Sequence, residues 1–271
     1  MCGHHGAHAD RRIWERQVKL LEGKTVLVTG ASTGIGRAAA VGAAKAGADV
    51  VINYHSRDDE AAACVAEIEA TGQRGLAVKG DVAAPETATE FVRKAVEAFG
   101  KVDVMVSNAG ICPFHSFLDM PVETVQRTVQ VNLLGGYFMC QAAANQMVAQ
   151  GHGGALIAVS SISALVGGEY QTHYTPTKAG LHSLMQSTAI ALGKHNIRCN
   201  SVLPGTILTE INKDDLADEE KRKYMEGRIP LGRLGQAEDL AGPIVFLASD
   251  MAAYVTGAAL LVDGGAFVNL Q

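Results

Sequence analysis

The chain has 271 residues, 48% of them apolar and 19% charged, with a net charge of −5. That balance supplies a substantial core and excludes a disordered polar chain. It also argues against a nucleic-acid partner, and no polybasic segment suggests a membrane surface.

No apolar run approaches the roughly 18–20 residues that a membrane-spanning helix requires. Five cysteines, Cys2, Cys64, Cys112, Cys140 and Cys199, are widely spaced and form no C-x-x-C pair. They read as reduced thiols, with neither a disulfide framework nor a zinc site. The N-terminus lacks the apolar segment of a secretory signal, so the cytoplasm is the expected compartment.

Residues 1–21 form a charged, histidine-rich extension, expected to be disordered. Cys2, His4, His5 and His8 are donors for a transition metal, but the plainer reading is an unstructured leader, and no metal is assigned. From residue 22 to 271 one domain is expected. Lys24–Gly30 is a short apolar run ending at glycine, the mark of a buried parallel strand. An alanine-rich helix follows from Ala31, then strands over 48–53 and 74–82 with an amphipathic helix over 58–72 between them. Pro85 and Gly100 bracket the next helix. A strand over 101–107 leads to one long helical stretch over 122–151. A strand over 154–161, a helix over 172–195 and a strand over 197–205 come next. The polar insertion 211–228, a helix over 237–250 and a last strand over 259–265 close the chain. Strict alternation of this kind implies an α/β, Rossmann-type doubly wound parallel sheet with helices on both faces.

Thr29–Gly36 reads T-G-A-S-T-G-I-G and sits between the first strand and the first helix. Its glycines permit a tight turn and close approach of a diphosphate at a helix N-terminus, through Gly30, Ser32, Thr33, Gly34, Ile35 and Gly36. Asp81 and Val82, then Asn108, Ala109 and Gly110, then Pro204, Gly205 and Ile207 fall at three further strand ends. Open α/β sheets bind ligands outside such carboxyl ends, so these residues are candidates for a dinucleotide. Tyr174 and Lys178 are four residues apart, one helical turn. A nearby ammonium favours a phenolate, so the pair is a candidate for proton transfer. Ser161, near a strand end, could hydrogen-bond a reacting oxygen.

Together these motifs resemble the short-chain dehydrogenase/reductase family over residues 23–265. T-G-A-S-T-G-I-G matches its cofactor loop, and S-N-A-G resembles its N-N-A-G turn with Ser107 in place of the first asparagine. Asn132, Ser161, Tyr174 and Lys178 fall at its four catalytic positions. The resemblance implies hydride transfer to or from a nicotinamide, with Tyr174 as base or acid and Lys178 lowering its pKa and holding the nicotinamide ribose. Ser161 would position the substrate oxygen, and Asn132 would anchor a water in a proton relay. It also implies a homotetramer.

The second strand ends in Asn53-Tyr54-His55-Ser56-Arg57, with no carboxylate before Asp58. His55, Ser56 and Arg57 suit a 2′-phosphate, so NADP is expected with some use of NAD. Thr33 stands where many NADP-preferring relatives carry a cation. Ser163, Gln171, Thr206 and Asn212 join Ser161 and Tyr174 as uncharged candidates for a small polyhydroxylated substrate. His115 and Glu169 are nearby in sequence. Ile162, Leu165, Val166, Ile207 and Leu208 could cover one apolar face. Within the family, residues 108–121, 160–180 and 204–216 resemble the sugar 1-dehydrogenases, those acting on L-rhamnose in particular. A 3-oxoacyl-carrier-protein reductase shares every catalytic motif and is the alternative. A nicotinamide-binding regulator would lack part of the catalytic set. The 211–228 insertion is expected to lie over the substrate as a lid.

Overall fold

Seven short runs of β-branched and aliphatic residues form a single parallel sheet, and the crossovers between them cover both of its faces. The computed structural model describes residues 19–213 and 216–269. In chain order the elements are β1 (Thr25–Val28), α1 (Gly34–Lys45), β2 (Asp49–Tyr54), α2 (Asp58–Glu69), β3 (Gly75–Lys79), α3 (Pro85–Phe99) and β4 (Val104–Ser107). There follow α4 (Val122–Val129), α5 (Gly136–Gln150), β5 (Gly154–Val159), α6 (Thr175–Leu192), β6 (Ile197–Pro204), α7 (Glu219–Gly227), α8 (Ala241–Ala248) and β7 (Ala259–Val262). The strand order is β3-β2-β1-β4-β5-β6-β7. The chain therefore reverses its direction of travel between β1 and β4, where an open α/β sheet leaves a crevice at its carboxyl edge.

One apolar layer sets α1 and α8 against the sheet, with Val28, Ala40, Ile52, Ile157 and Ile244 among its buried members. The other sets α3, α5 and α6 against it, around Phe91, Met105, Met139, Leu156 and Met185. Leu21, placed by the sequence reading in the leading extension, is fully buried in the first layer, and its amide donates to the Ala46 carbonyl at 2.8 Å. The leader residues Cys2, His4, His5 and His8 lie outside the described residues, as do Asp214, Asp215 and Gln271.

Helix boundaries follow local chemistry. Pro85 occupies the first turn of α3, and Gly100 ends it in the left-handed region at φ 84°. The stretch over 122–151 is one continuous rod by composition, but Gln130–Gly135 adopts a π-helix between α4 and α5. The polar insertion holds only the short α7, whose N-terminus is capped by the Asp218 carboxylate accepting from the Glu220 and Lys221 amides. Among the described residues no helix is long and apolar enough to cross a membrane.

Candidate active site

The turn after β1 is locked from both sides. The Thr29 hydroxyl accepts from the amides of Asn108 and Ala109, each at 3.0 Å. The Asn108 side chain returns hydrogen bonds to the carbonyls of Thr29 (2.9 Å) and Gly30 (3.1 Å). Gly30 has φ 61°, and a Cβ there would lie 2.8 Å from the Ala109 backbone, so glycine is required twice over. Gly36 sits beneath the turn, where a Cβ would come within 2.5 Å of Asn108, and does not line the cavity. At the start of α1, Thr33 makes no side-chain cap and the first turn holds no acidic residue. The open amides and positive helix end therefore suit a diphosphate.

A cavity of about 840 Å³ runs along the carboxyl edge of the sheet from this turn. His55, Ser56 and Arg57 line it on one side of the turn and are exposed. Arg57 has no ion-pair partner among the described residues, while the next carboxylate, Asp58, is held by Lys79 at 2.8 Å and the Tyr54 hydroxyl at 2.9 Å. Asp81 and Val82 also line the cavity, and Asp81 pairs with Arg127 at 2.9 Å. Ala109, Gly110, Pro204, Gly205, Thr206 and Ile207 continue the same wall.

Ser161, Tyr174 and Lys178 converge at the centre of that wall. Tyr174 immediately precedes α6, and the Lys178 amide donates to the Tyr174 carbonyl at 3.2 Å, so the one-turn relation holds. The Ser161 hydroxyl stands beside the Tyr174 phenol and accepts from the Ser163 amide at 3.0 Å. Lys178 is buried, its Nζ donating to the Val159 carbonyl at 2.9 Å and lying 5.5 Å from the centre of the Tyr174 ring. Asn132 lies behind the wall within the π-helical segment. Its Oδ1 accepts from the Ile111 amide at 2.8 Å and its Nδ2 donates to the Ile111 carbonyl at 2.9 Å.

Past this centre Ser163 and Gln171 face each other, the serine hydroxyl donating to Gln171 Oε1 at 3.3 Å. Ile162, Val166 and Ile211 supply apolar wall. Asn212 borders the cavity, but its amide closes its own turn, accepting from the Thr209 amide at 3.0 Å and donating to the Ile207 carbonyl at 2.8 Å. His115 and Glu169 do not line the cavity.

A family profile described as enoyl-(acyl carrier protein) reductase matches residues 30–266. The chain is 82% identical over 254 residues to an L-rhamnose 1-dehydrogenase (NAD(P)(+)) from Sphingomonas sp. strain SKA58, covering 94% of this chain and all of that one. It is 66% identical to an L-rhamnose 1-dehydrogenase (NAD(P)(+)) from Azotobacter vinelandii, over 93% of this chain and all of that one. A solved Agrobacterium tumefaciens structure with bound NADP, provisionally described as a 2-deoxy-D-gluconate 3-dehydrogenase, superposes with a TM-score of 0.86 at 35% identity. That superposition covers 93% of this chain and 100% of the other. The chain belongs to the short-chain dehydrogenase/reductase family.

For this short-chain dehydrogenase/reductase, one electrostatic expectation needs correction. The sequence reading has Lys178 lowering the Tyr174 pKa. In the structure burial dominates both groups, pushing the phenol well above its ordinary value and the ammonium down to about 8. Lys178 turns to a backbone carbonyl instead of the phenol oxygen, and the neighbouring Ser161 only partly counters the upward shift.

Several lining residues escaped the sequence reading: Cys112, Phe114, Arg127, Met225, Arg228 and Phe267. Phe267 was within reach of the strand-end rule, because it follows β7 at the same carboxyl edge. Arg127 carries no such signal, since only the packing of α4 brings it to Asp81.

Proposed function

We propose that this protein is an NAD(P)-dependent sugar 1-dehydrogenase that oxidises the anomeric hydroxyl of an aldose, L-rhamnose, to the corresponding lactone. The observation that carries this reading is near-complete coverage, at 82% identity, of a relative with that activity. The cavity chemistry supports it. Ser161, Ser163, Gln171 and Thr206 offer uncharged donors and acceptors to hydroxyl groups, while Ile162, Val166 and Ile211 offer an apolar face to the methyl group of a 6-deoxy sugar. The uncapped α1 terminus and Gly30, Ser32, Thr33, Gly34 and Ile35 would hold the dinucleotide diphosphate. Arg57, without an ion-pair partner among the described residues, favours with His55 and Ser56 acceptance of a 2′-phosphate alongside NAD.

A bound nicotinamide supplies the chemistry of hydride acceptance. Ser161 donates to the anomeric oxygen and orients it. Tyr174 removes the hydroxyl proton as the C1 carbonyl forms. Lys178, a turn along α6, stabilises the resulting charge pattern and binds the ribose. Asn132 keeps Ile111, and with it the Asn108–Cys112 strand end, in place. Cytoplasmic location and homotetrameric assembly complete the proposal. The four described cysteines are free thiols. Exposed Phe117, Leu118, Val122 and Ile190 offer apolar surface to further copies.

Replacing Tyr174 with Phe tests the chemical assignment. Turnover should fall by at least a thousandfold while the Kd for NADP, measured by fluorescence titration, stays within about twofold of the parent. Near-normal kcat in that variant would refute the assignment.

A further inference from the structure

We infer that Cys112 is a positioning residue for sugar recognition, holding the Gln171 amide in place at the cavity wall; this inference rests on the aldose-oxidising reading. Gln171 borders the cavity beside Ser163, and a glutamine amide can present either its carbonyl or its NH2 to a ligand. Two partners hold that amide in place. The Ser163 hydroxyl donates to Oε1 at 3.3 Å, and Nε2 donates to the Cys112 sulfur at 3.6 Å. Gly168 closes the third side, since a Cβ there would stand 2.5 Å from Oε1.

The Ser163 backbone amide donates to the Ser161 hydroxyl at 3.0 Å, and Ser161 stands beside the Tyr174 phenol. A rail of backbone and side-chain groups therefore runs from beside the proposed base through Ser161, Ser163 and Gln171 to Cys112. The chain termini of this rail are 62 residues apart in sequence, Cys112 to Tyr174, and only the fold joins them. Cys112 differs from the other described thiols in lining the cavity. Cys64, Cys140 and Cys199 belong to the two core layers. With one N–H spent on sulfur, Gln171 keeps a second N–H and a free lone pair on Oε1. Those are a matched donor and acceptor for hydroxyls on adjacent sugar carbons. The thiol is the group that closes the inner side of this amide, holding Nε2 against the wall while the rest of the amide borders the cavity.

The test compares Cys112→Ser, Cys112→Ala and Cys112→Val. Serine keeps an acceptor, alanine removes it, and valine removes it while filling the space. Loss of one neutral hydrogen bond is worth roughly a three- to tenfold change. KM for L-rhamnose should rise by about that factor in the alanine and valine variants and return towards the parent value in the serine variant. KM for NADP should not move in any of them. Side-chain amide exchange of 15N-glutamine-labelled protein gives a second readout that needs no substrate. The Gln171 NH2 protons should be protected in the parent and serine proteins and lose protection in the valine protein. An unchanged sugar KM in Cys112→Val, or a parallel rise in the KM values for sugar and NADP, would overturn the inference. If the parent oxidises no aldose, the functional reading fails by itself, and the exchange experiment still decides the position of Gln171.

Discussion

Lys178 pulls stability and function in opposite directions. Its folded-state pKa of about 8 lies below the ordinary 10.5, because burial disfavours the ammonium. Between those values the unfolded chain binds more protons, so stability rises with pH through that window. At pH 7 both states are charged and the buried ammonium costs up to about 3 kcal/mol, of which the hydrogen bond to Val159 returns a part. Lys178→Met should therefore raise Tm by a few degrees at pH 7 while abolishing turnover, and the gain should fade as pH approaches 10.5. A lower Tm for the variant at pH 7 would contradict this account. At the other end of the cavity, Arg57→Ala should lower kcat/KM with NADP about tenfold and leave NAD nearly unaffected, the loss of one partly exposed charge-assisted contact. Equal losses with both cofactors would remove Arg57 from that role. The Tyr174–Lys178 spacing was legible in sequence because a helix turns every 3.6 residues. The direction of their pKa shifts was not, because burial depends on what the rest of the chain brings around them.

At the scale of elements, the segment that most exceeds its sequence signal is the π-helix over Gln130–Gly135. An extra residue per turn leaves composition unchanged, so a helical pattern passes through it unmarked. Its consequence is local and strong. Asn132 is buried and spends its amide on both backbone groups of Ile111, with a third contact to the Thr177 hydroxyl at 3.3 Å. Asn132→Ala would leave the part-buried Ile111 amide and carbonyl without this partner, so we expect a loss of about 1–3 kcal/mol in urea unfolding and a matching fall in activity. A variant as stable as the parent would show that the π-segment does not hold the strand end. The strands and the glycine turn, by contrast, were legible, apart from Gly36, which packs beneath the turn instead of lining the cavity. Buried parallel strands read as unbroken apolar runs, and Gly30 is demanded by a backbone conformation that other residues avoid.

Across the whole molecule, the parallel sheet places its strand ends on one edge and so turns separate sequence motifs into one continuous wall. The insertion carrying α7 covers the far end of that wall. It packs through a small cluster of its own, Leu216, Ile229 and Leu234, apart from the two main layers. Such a satellite can open without disturbing the core. Limited proteolysis between Leu216 and Arg228 should therefore slow several-fold when NADP and sugar are both present, and unchanged cleavage would argue against a closing lid. Sequence placed this insertion near the substrate end, but it could not place Met225 and Arg228 on the cavity, because α7 is polar and shows no buried face of its own. Steady-state kcat/KM should be measured for L-rhamnose, other aldoses and a 3-oxoacyl thioester, each with NADP(H) and NAD(H). Oxidation of L-rhamnose at least tenfold more efficient than any other substrate, with both cofactors accepted, is the predicted result. Thioester reduction without aldose oxidation would contradict it.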